Sequence, residues 1–170
     1  MQRWLILITT YLVMLAIGFA GGIDTLPILT APRSPDTVAL QTIATETLYA
    51  GHLVRDLKGS DLLHWGEGEV RGSRNQIAHI GRLAPGPNYK LYLAPRFVDT
   101  KEAFLLIKDK SLRVGDVKTF NGFIVEVPAG VDVRNYNAVV IWCEAFDQFI
   151  SAAEYQPSSQ ARERARRWIP

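Results

Sequence analysis

Six consecutive residues, Ala138 to Cys143 (AVVIWC), put apolar side chains on both faces of an extended strand. Alternation sends Val139, Ile141 and Cys143 one way and Val140 and Trp142 the other. A strand that is apolar on both faces has to be covered on both, so the chain needs at least two packed layers with this strand in the interior of a sheet.

The segments around it fit that requirement. Short apolar stretches separated by turn residues recur from Thr47 onward: TLYAGHLV, GEGEVRG, NQIAHIGRL, YKLYLA, AFLLI, DVKTF, FIVEV, AVVIWC and QFISAAEY. In YKLYLA, Tyr89, Leu91 and Leu93 share a face opposite Lys90 and Tyr92, and in FIVEV, Phe123, Val125 and Val127 do the same, the pattern of strands with one buried face. Asn121 and Gly122 separate DVKTF from FIVEV, which predicts a hairpin turn. VDTKEAFLLIKDK is the place where a helical turn fits best. The expected fold class is all-β, a single β-sandwich or barrel-like domain over residues 47–156.

Two extensions flank it. MQRWLILITTYLVMLAIGFAGG begins with Arg3 and runs apolar from Trp4 to Ala20, close to the roughly twenty residues that cross a bilayer as a helix. Residues 1–23 are therefore expected to be a signal peptide or a signal-anchor helix, with the domain on the extracytoplasmic side, or exported if the leader is cleaved. Residues 24–46, rich in Gly, Pro, Ser and Thr, read as a linker. Residues 157–170 form a basic tail in which Arg162, Arg164, Arg166 and Arg167 oppose Glu163, a net of +3 within a chain total of +2. The remainder is near neutral, which excludes nucleic-acid binding by electrostatics.

Chemistry-bearing motifs are few. GEGEVRG lacks the context of a phosphate loop, since Glu67 and Glu69 repel phosphate and no helix follows; a bent or bulged strand is expected. No nucleophile elbow or paired-carboxylate arrangement supports a hydrolase. His52, His64 and His79 match no compact metal motif, although His64 or His79 could join Cys143 in a copper or haem site assembled from separate strands. Polar side chains at strand ends are the expected roles of His52 and His79. Cys143 is the single cysteine. In an exported domain a lone thiol is either packed in the core or held for reactivity, and the residue pattern leaves both open.

From about Thr47 to Tyr155 the chain resembles the DM-thirteen domain family, called an electron-transfer domain. The matching pieces are YAGHLV, HWGEGEV, GPNYKLYL, VGDVKTFNGFIVEVP and YNAVVIWCEAFDQFISAA. The resemblance implies an all-β domain whose signature cysteine, matched by Cys143, serves redox chemistry as a bare thiol or by holding a prosthetic group such as haem. On that basis the expected function is electron transfer or thiol redox exchange through Cys143, in an electron-transfer or accessory protein rather than a hydrolase or transferase. His64 is a ligand or proton-partner candidate, and Trp142, Tyr89 and Tyr136 are candidate neighbours. The N-terminal helix would engage the membrane, and a redox protein is a candidate partner, because a lone thiol cannot complete a dithiol cycle without a partner thiol, a cofactor or a second copy. The rival expectation is a binding module for protein or glycan, with Cys143 in the core and aromatics such as Trp65 and Tyr92 displayed.

Overall fold

A computed structural model describes residues 2–36, 38–40, 42 and 47–156. The basic tail expected over residues 157–170 lies outside the described residues. Among the described residues, eight strands form two antiparallel sheets. The first has the order β1 (Tyr49–Leu53), β2 (Gly66–Gly72), β3 (Gln76–Leu83), β6 (Phe123–Glu126); the second has β5 (Leu112–Val117), β4 (Tyr89–Ala94), β7 (Ala138–Cys143), β8 (Gln148–Glu154). The fold is the expected β-sandwich, preceded by an apolar helix, α1 (Gln2–Thr30).

The two-faced strand β7 occupies an interior position between β4 and β8, and all six of its residues are buried. Its inward side chains, Val139, Ile141 and Cys143, join Leu91 and Leu93 of β4 and Val70, Ile77 and Phe123 of the facing sheet in the main core. Its outward side chains need a separate cover. That cover is α2 (Lys101–Leu105) with the turn after it: Phe104 and Ile107 pack with Tyr92, Val140, Trp142 and Phe149 in a second apolar cluster. Thr100 caps α2, its hydroxyl accepting from the Ala103 N–H at 3.2 Å, so the AFLLI segment opens as helix rather than strand.

That cover also explains why β4 departs from the one-face pattern expected of YKLYLA. All six residues are buried. Tyr92 lies under α2, and Lys90 reaches out to an ion pair with Asp116 at 2.7 Å.

The Asn121–Gly122 hairpin does not form. β5 pairs with β4 and β6 pairs with β3, so the intervening segment crosses from one sheet to the other. Gly122 has φ +85° but Asn121 keeps an ordinary negative φ, unlike the type I′ turn that a two-residue hairpin requires. The crossing is fixed by its own bonds: the Thr119 hydroxyl donates to the Gly122 carbonyl at 2.6 Å, and the Leu83 N–H to the Phe120 carbonyl at 2.8 Å. GEGEVRG is β2, a strand with unbroken register to β3. Its irregularity is Gly68, at φ +121°, where a side chain would be strained and its β-carbon would clash with the Ile80 carbonyl oxygen.

α1 continues past Ile23 to Thr30, into the segment expected to be linker, and is long and apolar enough to cross a membrane. Three of its threonine hydroxyls are satisfied within the helix, Thr10 donating to the Ile6 carbonyl at 2.9 Å, Thr25 to Gly21 at 2.6 Å and Thr30 to Leu26 at 2.8 Å. Further along, Leu40 is buried on the outer face of the first sheet against Ala78, Ile80 and Ile124. The segment between helix and domain is thus docked at this point.

His79 is not at a strand end. It stands within β3, fully buried and stacked on Phe123, with Nε2 3.0 Å from the Glu67 carbonyl. Burial holds its pKa below the ordinary 6.5 despite that bond. A depressed histidine binds fewer protons folded than unfolded, so stability is expected to be fully present above about pH 6.5 and to fall as pH drops through the imidazole range. Denaturant midpoints measured across that range check this, and His79→Leu should flatten the slope. His52, by contrast, is exposed on β1 opposite Glu69.

Candidate functional site

Cys143 ends β7 opposite Tyr89, the first residue of β4. Both side chains face the space between the sheets, at the end where β7 turns into β8. A cavity of about 260 Å³ opens there, lined by Leu63, His64, Trp65, Pro87, Tyr89, Cys143 and Phe146, among others. The structure therefore brings His64, Tyr89 and Cys143 to one site. It does not bring the other two candidates. Trp142 points to the opposite face of the sheet, into the cluster under α2, and Tyr136 precedes the far end of β7.

Cys143 is 2% exposed. Its Sγ lies 2.9 Å from the Pro87 carbonyl, to which the thiol donates. Burial raises the thiol pKa; the backbone N–H groups of Phe146 and Ala145 oppose the rise, and the charges of Glu144 and Asp147 add to it. The neutral thiol is the resting form. Glu144 acts only from a distance because it lies on the other face, where its carboxylate accepts from the Tyr92 hydroxyl and pairs with Lys108 at 2.9 Å. Burial pushes the Glu144 pKa up, but those two partners outweigh it and leave the group below its usual value. The same surroundings raise Tyr92, through burial first and then Glu144. Tyr92, suggested as a displayed aromatic, is buried, whereas Trp65 is half-buried with the Arg55 guanidinium 3.6 Å from its ring centroid.

His64 is held by a residue that the spacing search overlooked. Asp61 accepts from the backbone N–H groups of Leu63 at 2.7 Å and His64 at 2.8 Å, and its carboxylate lies 2.8 Å from His64 Nδ1. Burial is the largest single influence on Asp61 and pushes its pKa up, but the bond to His64, the two backbone donors and the His64 charge together bring it below normal. With Nδ1 directed to Asp61, Nε2 is the ring nitrogen left for a proton or a ligand. The legible signal was Asp-x-x-His, an aspartate positioned to accept from its own turn.

The donor set does not suit the prosthetic groups weighed from the sequence. Among the described residues no group of three or more His, Cys, Asp or Glu side chains is arranged to hold a metal ion, and a copper site of the His₂Cys type needs a second histidine beside His64 and Cys143. A ligating thiolate would also face the Pro87 carbonyl that the thiol now satisfies. At about 260 Å³, the cavity falls below the roughly 300–1,000 Å³ that encloses drug-sized ligands, and a haem macrocycle is not enclosed.

The two-sheet β domain thus places a buried thiol and a carboxylate-held histidine in one end cavity. The chain matches the model of the family described as Electron transfer DM13 over residues 57–155 and belongs to that family. The match begins after β1 and ends just beyond β8. No curated protein and no solved structure matches the chain.

Proposed function

We propose that the chain is a membrane-tethered, extracytoplasmic electron-transfer protein in which Cys143 is the redox residue and His64, positioned by Asp61, is its proton partner. The observation that carries this reading is the convergence of His64 and Cys143 on one cavity from opposite sheets' connections. Membership in the electron-transfer family supports it.

The chemistry that a lone thiol permits is a two-electron oxidation by a small hydroperoxide. The sulfur attacks the terminal peroxide oxygen and the O–O bond breaks. Cys143 becomes a sulfenic acid, and the thiol proton passes through His64 to the departing alkoxide, which leaves as an alcohol. A thiol of a partner protein then condenses with the sulfenic acid, releasing water and leaving a mixed disulfide; a second partner thiol breaks that disulfide and restores Cys143. The partner is thereby oxidised to a disulfide, giving up the two electrons that the peroxide accepted.

Trapping with a 1,3-dione, read by mass spectrometry on the full chain in detergent, tests the first step. One adduct at Cys143 after peroxide treatment is expected, formed about a hundredfold or more slowly in His64→Ala, the low end of what general acid–base catalysis contributes, at an unchanged unfolding midpoint. A thiol that stays unmodified until the domain unfolds would sink the reading. The rival binding module keeps Trp65 as a surface aromatic but loses Tyr92.

A further inference from the structure

The turn that holds His64 also displays two leucines. Asp61 ties it from inside through the Leu63 and His64 N–H groups, and the Asp61 N–H donates to the His64 carbonyl at 2.9 Å. The result is a tight loop with Leu62 90% and Leu63 64% exposed. Across the cavity mouth Phe146, at the tip of the β7–β8 turn, is 54% exposed. Large apolar side chains fixed outward on bonded turns are costly in water and indicate a partner surface.

The end of α1 says which surface. Ile28 lines the same cavity as Leu62, Leu63 and Phe146, and Leu26, Pro27 and Thr30 line the neighbouring cavity along Pro87 and Tyr89. A helix of 29 residues is about 43 Å long at roughly 1.5 Å per residue, which matches the roughly 40–45 Å of a bilayer including its headgroups. The last turn of a spanning α1 then stands in the outer headgroup layer. The loop residues sharing its cavity stand at the same level. Trp65 beneath the Arg55 guanidinium is the kind of aromatic and cationic pair that favours this layer.

We infer that Leu62, Leu63 and Phe146 dock into the surface of the bilayer that α1 spans, so that the Cys143 cavity opens at the lipid interface. This rests on the membrane-tethered reading above. A reactant dissolved in the interface would reach the thiol without crossing bulk water, and the opposite end of the sandwich, around Arg74, would face the solvent.

The test uses the full chain in phosphatidylcholine vesicles containing a minor fraction of phosphatidylglycerol. In a Cys143→Ala background, single cysteines replacing Leu62, Phe146, Leu12 and Arg74 carry an environment-sensitive dye, and lipids spin-labelled near the headgroup or deep in the acyl chain quench it. Labels at 62 and 146 should lose more than about half of their emission to the shallow quencher, the depth at which apolar faces rest, while the label at 74 keeps it. The label at 12 should respond to the deep quencher. Labels at 62 and 146 as bright as that at 74, with 12 quenched, would overturn the docking and leave the tether intact. Failure at all of 12, 62 and 146 would overturn both. Quenching at 62 and 146 without quenching at 12 would support the docking and remove the spanning helix. In the wild-type chain, a lipid carrying a photoreactive headgroup should crosslink to the tryptic peptide 59–71, and its absence from the crosslinked peptides would count against the docking independently of any substitution.

Discussion

Trp142→Ala is expected to remove about 3–5 kcal/mol of stability, the range for deleting a large aromatic from a core. Trp142 is fully buried. Its ring packs on Phe104 at 5.1 Å between centroids and lies under the Lys108 ammonium at 4.9 Å, so the substitution opens a void between the second sheet and α2 and removes a cation–π partner. Against a total of about 5–15 kcal/mol for a typical domain, a loss of that size leaves a substantially unfolded population. The indole Nε1 is buried without a hydrogen-bond partner among the described residues. Trp142→Phe should therefore cost much less than alanine, because the lost volume is partly offset by removing a desolvated donor worth about 1–3 kcal/mol. Urea unfolding of the full chain in detergent, followed by circular dichroism, separates the two. Equal losses for both would mean that the ring's size contributes little.

Trp142 also illustrates what pattern could reveal. Apolar side chains on both faces of AVVIWC required cover on both, and the sandwich core on one side with α2 on the other supplies it. The same alternation puts Glu144 on the face away from Cys143, where Tyr92 and Lys108 hold it. It could not show that Lys90 and Tyr92 would be buried, because their partners, Asp116, Glu144 and Lys108, come from segments remote in sequence. Nor could it reveal that Asn121–Gly122 would turn between sheets, since turn chemistry limits local dihedrals and says nothing about which strand each arm will pair with. For the site, proximity along the chain misled in one case: Trp142 adjoins Cys143 but faces away. His64 and Tyr89 meet Cys143 only through the register of β4 on β7 and the path of the loop before β2. Asp61 was legible as a local acceptor three residues before His64, but a search for metal spacing passes over it.

Cys143 is expected to discriminate reagents by size. The thiol is sealed from the surface except through a cavity of about 260 Å³, so a small methanethiosulfonate should modify it in the folded chain, whereas a maleimide on a polymer should react only through opening of the β7–β8 end. If that opening costs about 3–4 kcal/mol, within the span seen for local unfolding, the bulky reagent reacts some hundreds of times more slowly than with the unfolded chain. The pH dependence carries a separate sign. Burial raises the thiol pKa above its ordinary 9.0, so labelling by the small reagent should keep climbing, close to tenfold per pH unit, past the point where an exposed thiol has levelled off. The unfolded thiol loses its proton first as pH rises. The thiol's contribution to stability is therefore present below the unfolded value and is lost as pH climbs through it toward the folded one. Cys143→Ala should abolish that alkaline loss while leaving the acid-side loss due to His79 in place. Fast native labelling by the polymer reagent, with a plateau at the ordinary thiol pKa, would show an open thiol at the surface and would contradict the gated cavity.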